Sequence, residues 1–305
     1  MLNNTISILV PEWADYELID SGNSRKLERF GAYRIVRHEP KAWWRPALPE
    51  RDWATAHAIQ DEEGRLTIKS SLPKAWPLKL NLGTGAEGTE RTITLEARVS
   101  ETSRHIGLFP EQAPHWRLLA EVAARFPRSG PQPKLLNLFG YTGAASLAAQ
   151  AAGFAATHVD ASRPAIAWAK RNQELSGLND RPVRFLLDDV VKFVQREIRR
   201  GNRYEAILLD PPSFGRGPNR EVWKVEGMIR DLLVDCRELL SDKAQLLLLT
   251  MYNIEASALM LGNIMDDVLR GLPGTIRVGE LAVPHTAPGA TARMLPRSLF
   301  ARWEA

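Results

Sequence analysis

Lys134-Leu135-Leu136-Asn137-Leu138-Phe139-Gly140-Tyr141-Thr142-Gly143 joins a short apolar run to a turn carrying two glycines, and the alanine-rich stretch Ala144 to Ala152 follows at once. The apolar run has the length of a strand and the alanines favour helix, so the segment predicts strand, turn and helix. Glycine at 140 and 143 lets backbone approach a ligand closely, and the free N–H groups at a helix start favour a carboxylate or phosphate. Farther along, the pattern repeats. Thr157-His158-Val159-Asp160 reads as a second strand, ending in an acid twenty residues after Gly140. That spacing sets a carboxylate on ribose hydroxyls in nucleotide-binding sheets. Val183 to Leu187 reads as a third strand, and Asp188-Asp189 after it can accept from an adenine amino group. A fourth, Ala206 to Leu209, runs into Asp210-Pro211-Pro212-Ser213-Phe214. Strands alternating with helices predict an α/β fold and put Asn137, Asp160, Asp188, Asp189 and Asp210 on one carboxyl edge, where open sheets bind their ligands.

The segment after the fourth strand has its own chemistry. Each proline fixes φ at about −65° and lacks an N–H, so nearby carbonyls lose ladder partners and can turn toward a ligand. A planar amine or ring nitrogen suits such a notch, donating to Asp210 and the Pro211 carbonyl while Phe214 covers its face. An ordinary strand-to-loop turn has the same composition, and the motif alone leaves both readings open.

The run Leu136 to Gly143, taken with Asp160-Ala161-Ser162, Asn172, Asp189 and Asp210-Pro211-Pro212-Ser213-Phe214, resembles class I S-adenosylmethionine-dependent methyltransferases. More narrowly, it is similar to the group that contains the bacterial large-subunit ribosomal RNA methyltransferases. His105 to Gln112 resembles that group's Gly-x-Phe-x-acid-Gln segment, with Phe109, Glu111 and Gln112 in the matching places. The resemblance covers residues 103 to 255. It implies a Rossmann-like seven-stranded methyltransferase sheet and S-adenosyl-L-methionine as cofactor. By the same resemblance, Phe139, Gly140, Tyr141, Thr142 and Gly143 hold the methionine part of the cofactor, Asp160 with Ala161 and Ser162 the ribose, and Asp189 beside Asp188 the adenine. Asn137, Asn172, Phe109, Glu111 and Gln112 are carried over to the cofactor site as well. Asp210, Pro211, Pro212, Ser213 and Phe214 then frame the methyl acceptor, so that catalysis works by positioning.

Two departures narrow the chemistry. Relatives that methylate carbon 5 of cytosine use a cysteine in the loop after the fourth or fifth strand, and Thr250-Met251-Tyr252-Asn253 has none. Cys236, the single thiol, lies in the helical run Met228 to Leu240, where a cysteine ordinarily serves as a small buried apolar side chain. The expectation is therefore methylation of a nitrogen without a covalent intermediate. Ala113 stands where related enzymes often carry arginine, so no salt link is drawn from that position.

With 305 residues the chain has material for a large domain and a smaller one. The expected division is a small β-rich N-terminal domain over 1–102 and the methyltransferase domain over 103–305. An apolar content of 44% fits a folded, soluble protein; no run is long enough to span a bilayer, and the start lacks a secretory pattern. One cysteine rules out an internal disulfide and fits a reducing cytoplasm. The histidines show no close pair at metal-ligand spacing, so no metal is expected. A net charge of +4 permits contact with a phosphate backbone without demanding it.

Lys26 to Arg37, Thr67 to Lys69 and Arg91 to Val99 read as short strands, and Met1 to Val10 as a flexible lead or an edge strand. Lys41-Ala42-Trp43-Trp44-Arg45-Pro46 carries two readings: tryptophan and arginine stacking on exposed bases, or packing at the domain junction. Downstream, Glu221 to Leu240 and Ala256 to Leu269 read as helices and Ala244 to Thr250 as the fifth strand. Thr275 to Val283 and Ser298 to Trp303 read as a closing antiparallel pair, with His285 to Thr291 between them as a surface loop or a lid. The activity expected is methyl transfer to a nucleic-acid base, ribosomal RNA above all. A protein or small-molecule acceptor, a silent RNA-binding module of the same fold and a nicotinamide oxidoreductase are the rival readings, and the last leaves Asp-Pro-Pro without a role.

Overall fold

A computed structural model describes residues 2–85, 88–99, 105–127, 129–289 and 292–305. Strand β1 (Leu2–Leu9) is followed by β2 (Tyr16–Gly22), β3 (Arg25–Phe30), β4 (Tyr33–His38), the one-turn helix α1 (Glu50–Trp53), β5 (Ala58–Gln60), β6 (Leu66–Ile68) and the hairpin β7 (Ala75–Thr84) and β8 (Glu90–Arg98). After a 3₁₀ turn at Pro110–Gln112 come α2 (Ala113–Ala123), β9 (Lys134–Leu138), α3 (Ala144–Ala152), β10 (Ala155–Asp160), α4 (Arg163–Leu175), β11 (Val183–Leu187), α5 (Val190–Arg199) and β12 (Ala206–Leu209). The chain finishes with β13 (Phe214–Arg216), β14 (Val222–Lys224), α6 (Val225–Glu238), β15 (Leu246–Met251), α7 (Ala258–Val268), β16 (Thr275–Pro284) and β17 (Met294–Glu304).

The large sheet has the order β1-β16-β17-β15-β12-β9-β10-β11. Its strands run parallel except β17, which lies antiparallel between β15 and β16. The seven strands expected for a Rossmann-like methyltransferase sheet are thus present with the reversed closing pair. Strand β1 adds an eighth by pairing with β16, so the first residues form an edge strand. The central strands are apolar at successive positions because both faces are covered. Leu135, Leu208 and Leu248 share a core with α2 and α3, while Leu136, Leu209 and Leu249 pack with α5, α6 and α7. The helix expected from Glu221 starts instead at Val225, because Val222–Lys224 pairs with Phe214–Arg216 to fold a small hairpin back from the Pro-Pro segment.

Strands β2 to β6 form a five-stranded sheet whose Leu18, Phe30 and Ile35 join the same cluster as Leu208 and Leu281. The expected division between 102 and 103 falls outside the described residues, as do residues 290–291 of the 285–291 loop. The start of that loop is pinned to β2, with Thr286 N–H donating to Leu18 O at 3.0 Å and Ala287 N–H to Ile19 O at 2.9 Å. The tryptophan pair divides between its two readings: Trp44 packs inward with Nε1 donating to Ser21 O at 2.8 Å, and Trp43 is left exposed.

A buried ionic network crosses this junction. Lys26 Nζ lies 3.2 Å from Glu39 and 3.7 Å from Glu28, Arg37 lies 2.7 Å from Glu28, and Arg297 of β17 pairs with Glu39 and, at 3.4 Å, with Glu111. Burial acts to raise Glu28, yet Arg37 and Lys26 prevail and hold it at about 2. Charges taken out of water are tolerated only when each has partners, and removing one partner strands the rest. Arg297→Ala leaves Glu39 and Glu111 short of a cation and is expected to cost about 3–5 kcal/mol, read by urea denaturation. An unfolding midpoint equal to that of the wild type would show that the network does not hold the two parts together.

Candidate active site

Strand β9 ends at Leu138, and the chain turns through Phe139 and Tyr141, both at positive φ (57° and 49°), before α3 begins behind Gly143 at φ 88°. Side chains rarely adopt that conformation, so the turn has to be held from outside. Asp160, at the end of β10, does this by accepting from Tyr141 N–H at 2.8 Å with one oxygen and from Ser162 N–H at 2.7 Å with the other. Burial raises its pKa, against the pull of these two N–H groups. Thr142 Oγ1 donates to Gly107 O at 2.7 Å, and Asn172 Nδ2 donates to Thr142 O at 2.9 Å while its Oδ1 accepts from Glu96 N–H at 2.8 Å. Glycine is required at 140 because a Cβ there would lie 2.4 Å from the His158 ring. Burial pushes His158 down to about 3, so the imidazole is neutral; its Nδ1 meets Ser146 Oγ at 3.0 Å, and Ser146 Oγ accepts from Asn137 Nδ2 at 2.9 Å. Asn137 therefore sits inside β9 and ties the strand to Ser146 of α3.

Two crevices open at the carboxyl edge. The first, with an empty volume of about 550 Å³, is lined by Phe109, Gln112, Asn137, Phe139, Gly140, Tyr141, Thr142 and Asp210. The second, about 700 Å³, is lined by Phe139, Asp160, Ala161, Ser162, Asp189, Pro212 and Trp223. Phe139 is a wall of both; Asn137 and Asp210 line the first and Asp160 and Asp189 the second.

Asp210 lies in the first crevice. Its Oδ2 accepts from Gln112 Nε2 at 3.3 Å, and its Oδ1 is buried with no hydrogen-bond partner among the described residues. Burial, with the nearby Glu111 adding to it, raises this carboxyl to about 7. A buried acceptor without a donor is costly and marks a place where a ligand N–H completes the site. Aromatic rings stand beside it: Phe109 is 5.6 Å from Tyr141 and 5.7 Å from Tyr252, and burial together with Asp210 pushes the Tyr252 phenol up.

Other candidate residues carry bonds to the protein itself. Glu111 faces Arg297, Asp188 pairs with Arg196 and accepts from Asp189 N–H at 2.9 Å, and Asp189 Oδ1 caps α5 by accepting from Lys192 N–H at 2.9 Å. Pro211 is buried, Pro212 O accepts from Trp223 Nε1 at 2.7 Å, and Ser213 O accepts from Val225 N–H at 3.1 Å. Phe214 is 54% exposed on the small hairpin and lines neither crevice. Trp223, 5.1 Å from the Phe139 ring, gave no sequence signal because only the hairpin brings it to the site.

A family model described as S-adenosylmethionine-dependent methyltransferase matches residues 104–289. A crystal structure of an S-adenosylmethionine-dependent methyltransferase from Agrobacterium tumefaciens is 44% identical, with a TM-score of 0.91, covering 99% of this chain and 94% of that one. Among curated proteins, ribosomal RNA large subunit methyltransferase K of Neisseria meningitidis is 34% identical over 37% of this chain and 31% of its own length. Ribosomal RNA large subunit methyltransferase K/L of Hahella chejuensis is 40% identical over 35% of this chain and 15% of its own length. The match thus spans less than a third of these curated relatives.

S-adenosylmethionine is the cofactor, and the donor set suits it. Each Asp160 oxygen takes one backbone N–H, and a carboxylate oxygen so engaged keeps a lone pair for a ribose hydroxyl. Asp160→Ala is expected to weaken S-adenosylhomocysteine binding roughly 10- to 100-fold, the worth of a charged hydrogen bond, in calorimetric titration. Unchanged affinity would remove Asp160 from the ribose. For Asp210 the sign follows from its raised pKa: its neutral form is native up to about 7, whereas the unfolded chain ionises near about 4. The wild type therefore loses stability as pH rises through that interval. Asp210→Asn has no such loss, so its melting temperature should gain on the wild type between pH 4 and pH 8, and a constant difference would contradict the assigned burial.

Proposed function

Because the chain belongs to the S-adenosylmethionine-dependent methyltransferase family, we propose that it methylates a nitrogen of a nucleic-acid base, ribosomal RNA being the favoured acceptor, without a covalent cysteine intermediate. The observation that carries the reading is the unpartnered, buried Oδ1 of Asp210 beside the rings of Phe109, Tyr141 and Tyr252. A planar base carrying an exocyclic or ring N–H supplies both the missing donor and a face for the aromatics. In this proposal the cofactor's ribose is held by Asp160 with Ala161 and Ser162, its adenine lies in the second crevice near Asp189, and its amino-acid end lies along the turn from Gly140 to Gly143. S-adenosylmethionine supplies an electrophilic methyl group on a sulfonium sulfur.

The chain's own part is positioning and proton handling. Asp210, steadied by Gln112, accepts a hydrogen bond from the acceptor N–H and takes that proton as the nitrogen gains its methyl group. A pKa raised to about 7 suits a group that must be ionised before transfer and bind a proton after it. No thiol competes for the role: Cys236 is fully buried in α6, and burial pushes its pKa up. The β-rich segment over 1–102 is proposed to present RNA to the methyltransferase segment over 103–305. The two curated relatives named above, both ribosomal RNA methyltransferases, favour RNA over the protein or small-molecule alternatives.

Tritiated methyl groups should enter the RNA fraction of cells lacking the enzyme, with a rate that climbs as pH passes through about 7. Asp210→Asn should lower it about 10²- to 10⁴-fold, and Cys236→Ser should leave it unchanged. Label confined to protein or metabolites would reject RNA as acceptor, and loss of transfer in Cys236→Ser with cofactor binding intact would reject direct transfer.

A further inference from the structure

The indole of Trp43 takes no part in the machinery described above. It is 89% exposed, while Ala42 before it is fully buried and Trp44 after it is packed. An indole in water forgoes burial that a folding chain normally takes. Here the backbone holds it out: Ala42 O accepts from Ser24 N–H at 2.9 Å, Trp44 O from Asn23 N–H at 2.7 Å, and Ala42 N–H donates to Glu39 O at 3.0 Å. Pro46 wedges the far end so closely that a Cβ on Gly22 would lie 2.3 Å from its nitrogen. The result is a pinned ledge on which Lys41, Trp43 and Arg45 are the exposed residues.

Charge and location give the ledge a partner. Arg293 Nη1 donates to Arg45 O at 2.7 Å, so a second guanidinium lies alongside, and Lys41 Nζ donates to Arg297 O at 2.8 Å. Of the acids nearby, Glu39 is engaged by Lys26 and Arg297, which leaves Glu280 facing Lys41. Arg297 also reaches Glu111, whose neighbour Gln112 donates to Asp210. Arg297 therefore links the ledge, through its backbone carbonyl, to the wall of the acceptor crevice, through its guanidinium.

We propose that Trp43 is a stacking platform for an unpaired base of the RNA substrate that flanks the methylated nucleotide, with Arg45 and Arg293 meeting its phosphates. This rests on the RNA reading above. An exposed indole on a segment that also carries Lys41 and Arg45, with Arg293 bonded to it, fits a base and its phosphates, since every base has a π face and the backbone is anionic. A protein partner would call for a broader apolar patch with the aromatic at its centre.

The test uses the full chain, fluorescein-labelled single-stranded RNA read by anisotropy, and methyl transfer to RNA from cells lacking the enzyme. Trp43→Ala should weaken single-strand binding roughly 5- to 150-fold and raise KM for RNA, with S-adenosylhomocysteine affinity unchanged. Trp43→Phe should keep most of the affinity, and Arg45→Ala should weaken binding and flatten its salt dependence by about one unit of slope. Wild-type affinity and KM in Trp43→Ala, with RNA still methylated, would overturn the platform and leave the RNA reading standing. Methyl transfer to protein but never to RNA would overturn both.

Discussion

The Asp160 carboxylate joins the end of one strand to the turn that leaves its neighbour, holding Tyr141 N–H and Ser162 N–H on its two oxygens. The rest of the site depends on this pair of bonds. Phe139 and Tyr141 occupy backbone conformations that side chains resist, and the strain persists only because Asp160, Thr142 and Asn172 over-determine the turn. The turn in turn sets the Phe139 ring as a partition between the two crevices and brings Tyr141 against Phe109. In the proposed site, a carboxylate that braces the turn and also offers lone pairs to the ribose would couple cofactor binding to the shape of the crevice around Asp210.

A second constraint comes from the buried charges between the N-terminal strands and β17. Arg297 reaches Glu39 on one side and Glu111 on the other, and Glu111 in turn bears on the ionisation of Asp210. Networks of this kind contribute little net stability over apolar packing, but they are intolerant of a missing member. Here they join the segment that leads into the Trp43 ledge to β17 of the large sheet.

The fold was readable because its signals are local. Apolar runs of strand length, each followed by helix and ending in an acid, specify a parallel sheet with both faces covered, and the helix Ala144–Ala152 and strand Val183–Leu187 have the bounds that the sequence predicts. What was not readable depends on contacts distant in sequence. Arg297 meets Glu111 only through sheet order, Trp223 reaches Phe139 only because a three-residue strand pairs where a helix was expected, and β1 finds β16 across most of the chain. The sequence marks Asn137 and Asn172 as site residues but cannot show that Asn137 bonds Ser146 of α3 and that Asn172 ties the turn at Thr142 to Glu96 of β8.

The most direct test of the account is a crystal structure of this protein with S-adenosylhomocysteine. The ribose hydroxyls should lie on Asp160, the adenine in the second crevice beside Asp189, and the sulfur should face the open Oδ1 of Asp210 in the first crevice. An adenosine bound away from Asp160, or a sulfur turned from Asp210, would contradict the site and the mechanism built on it.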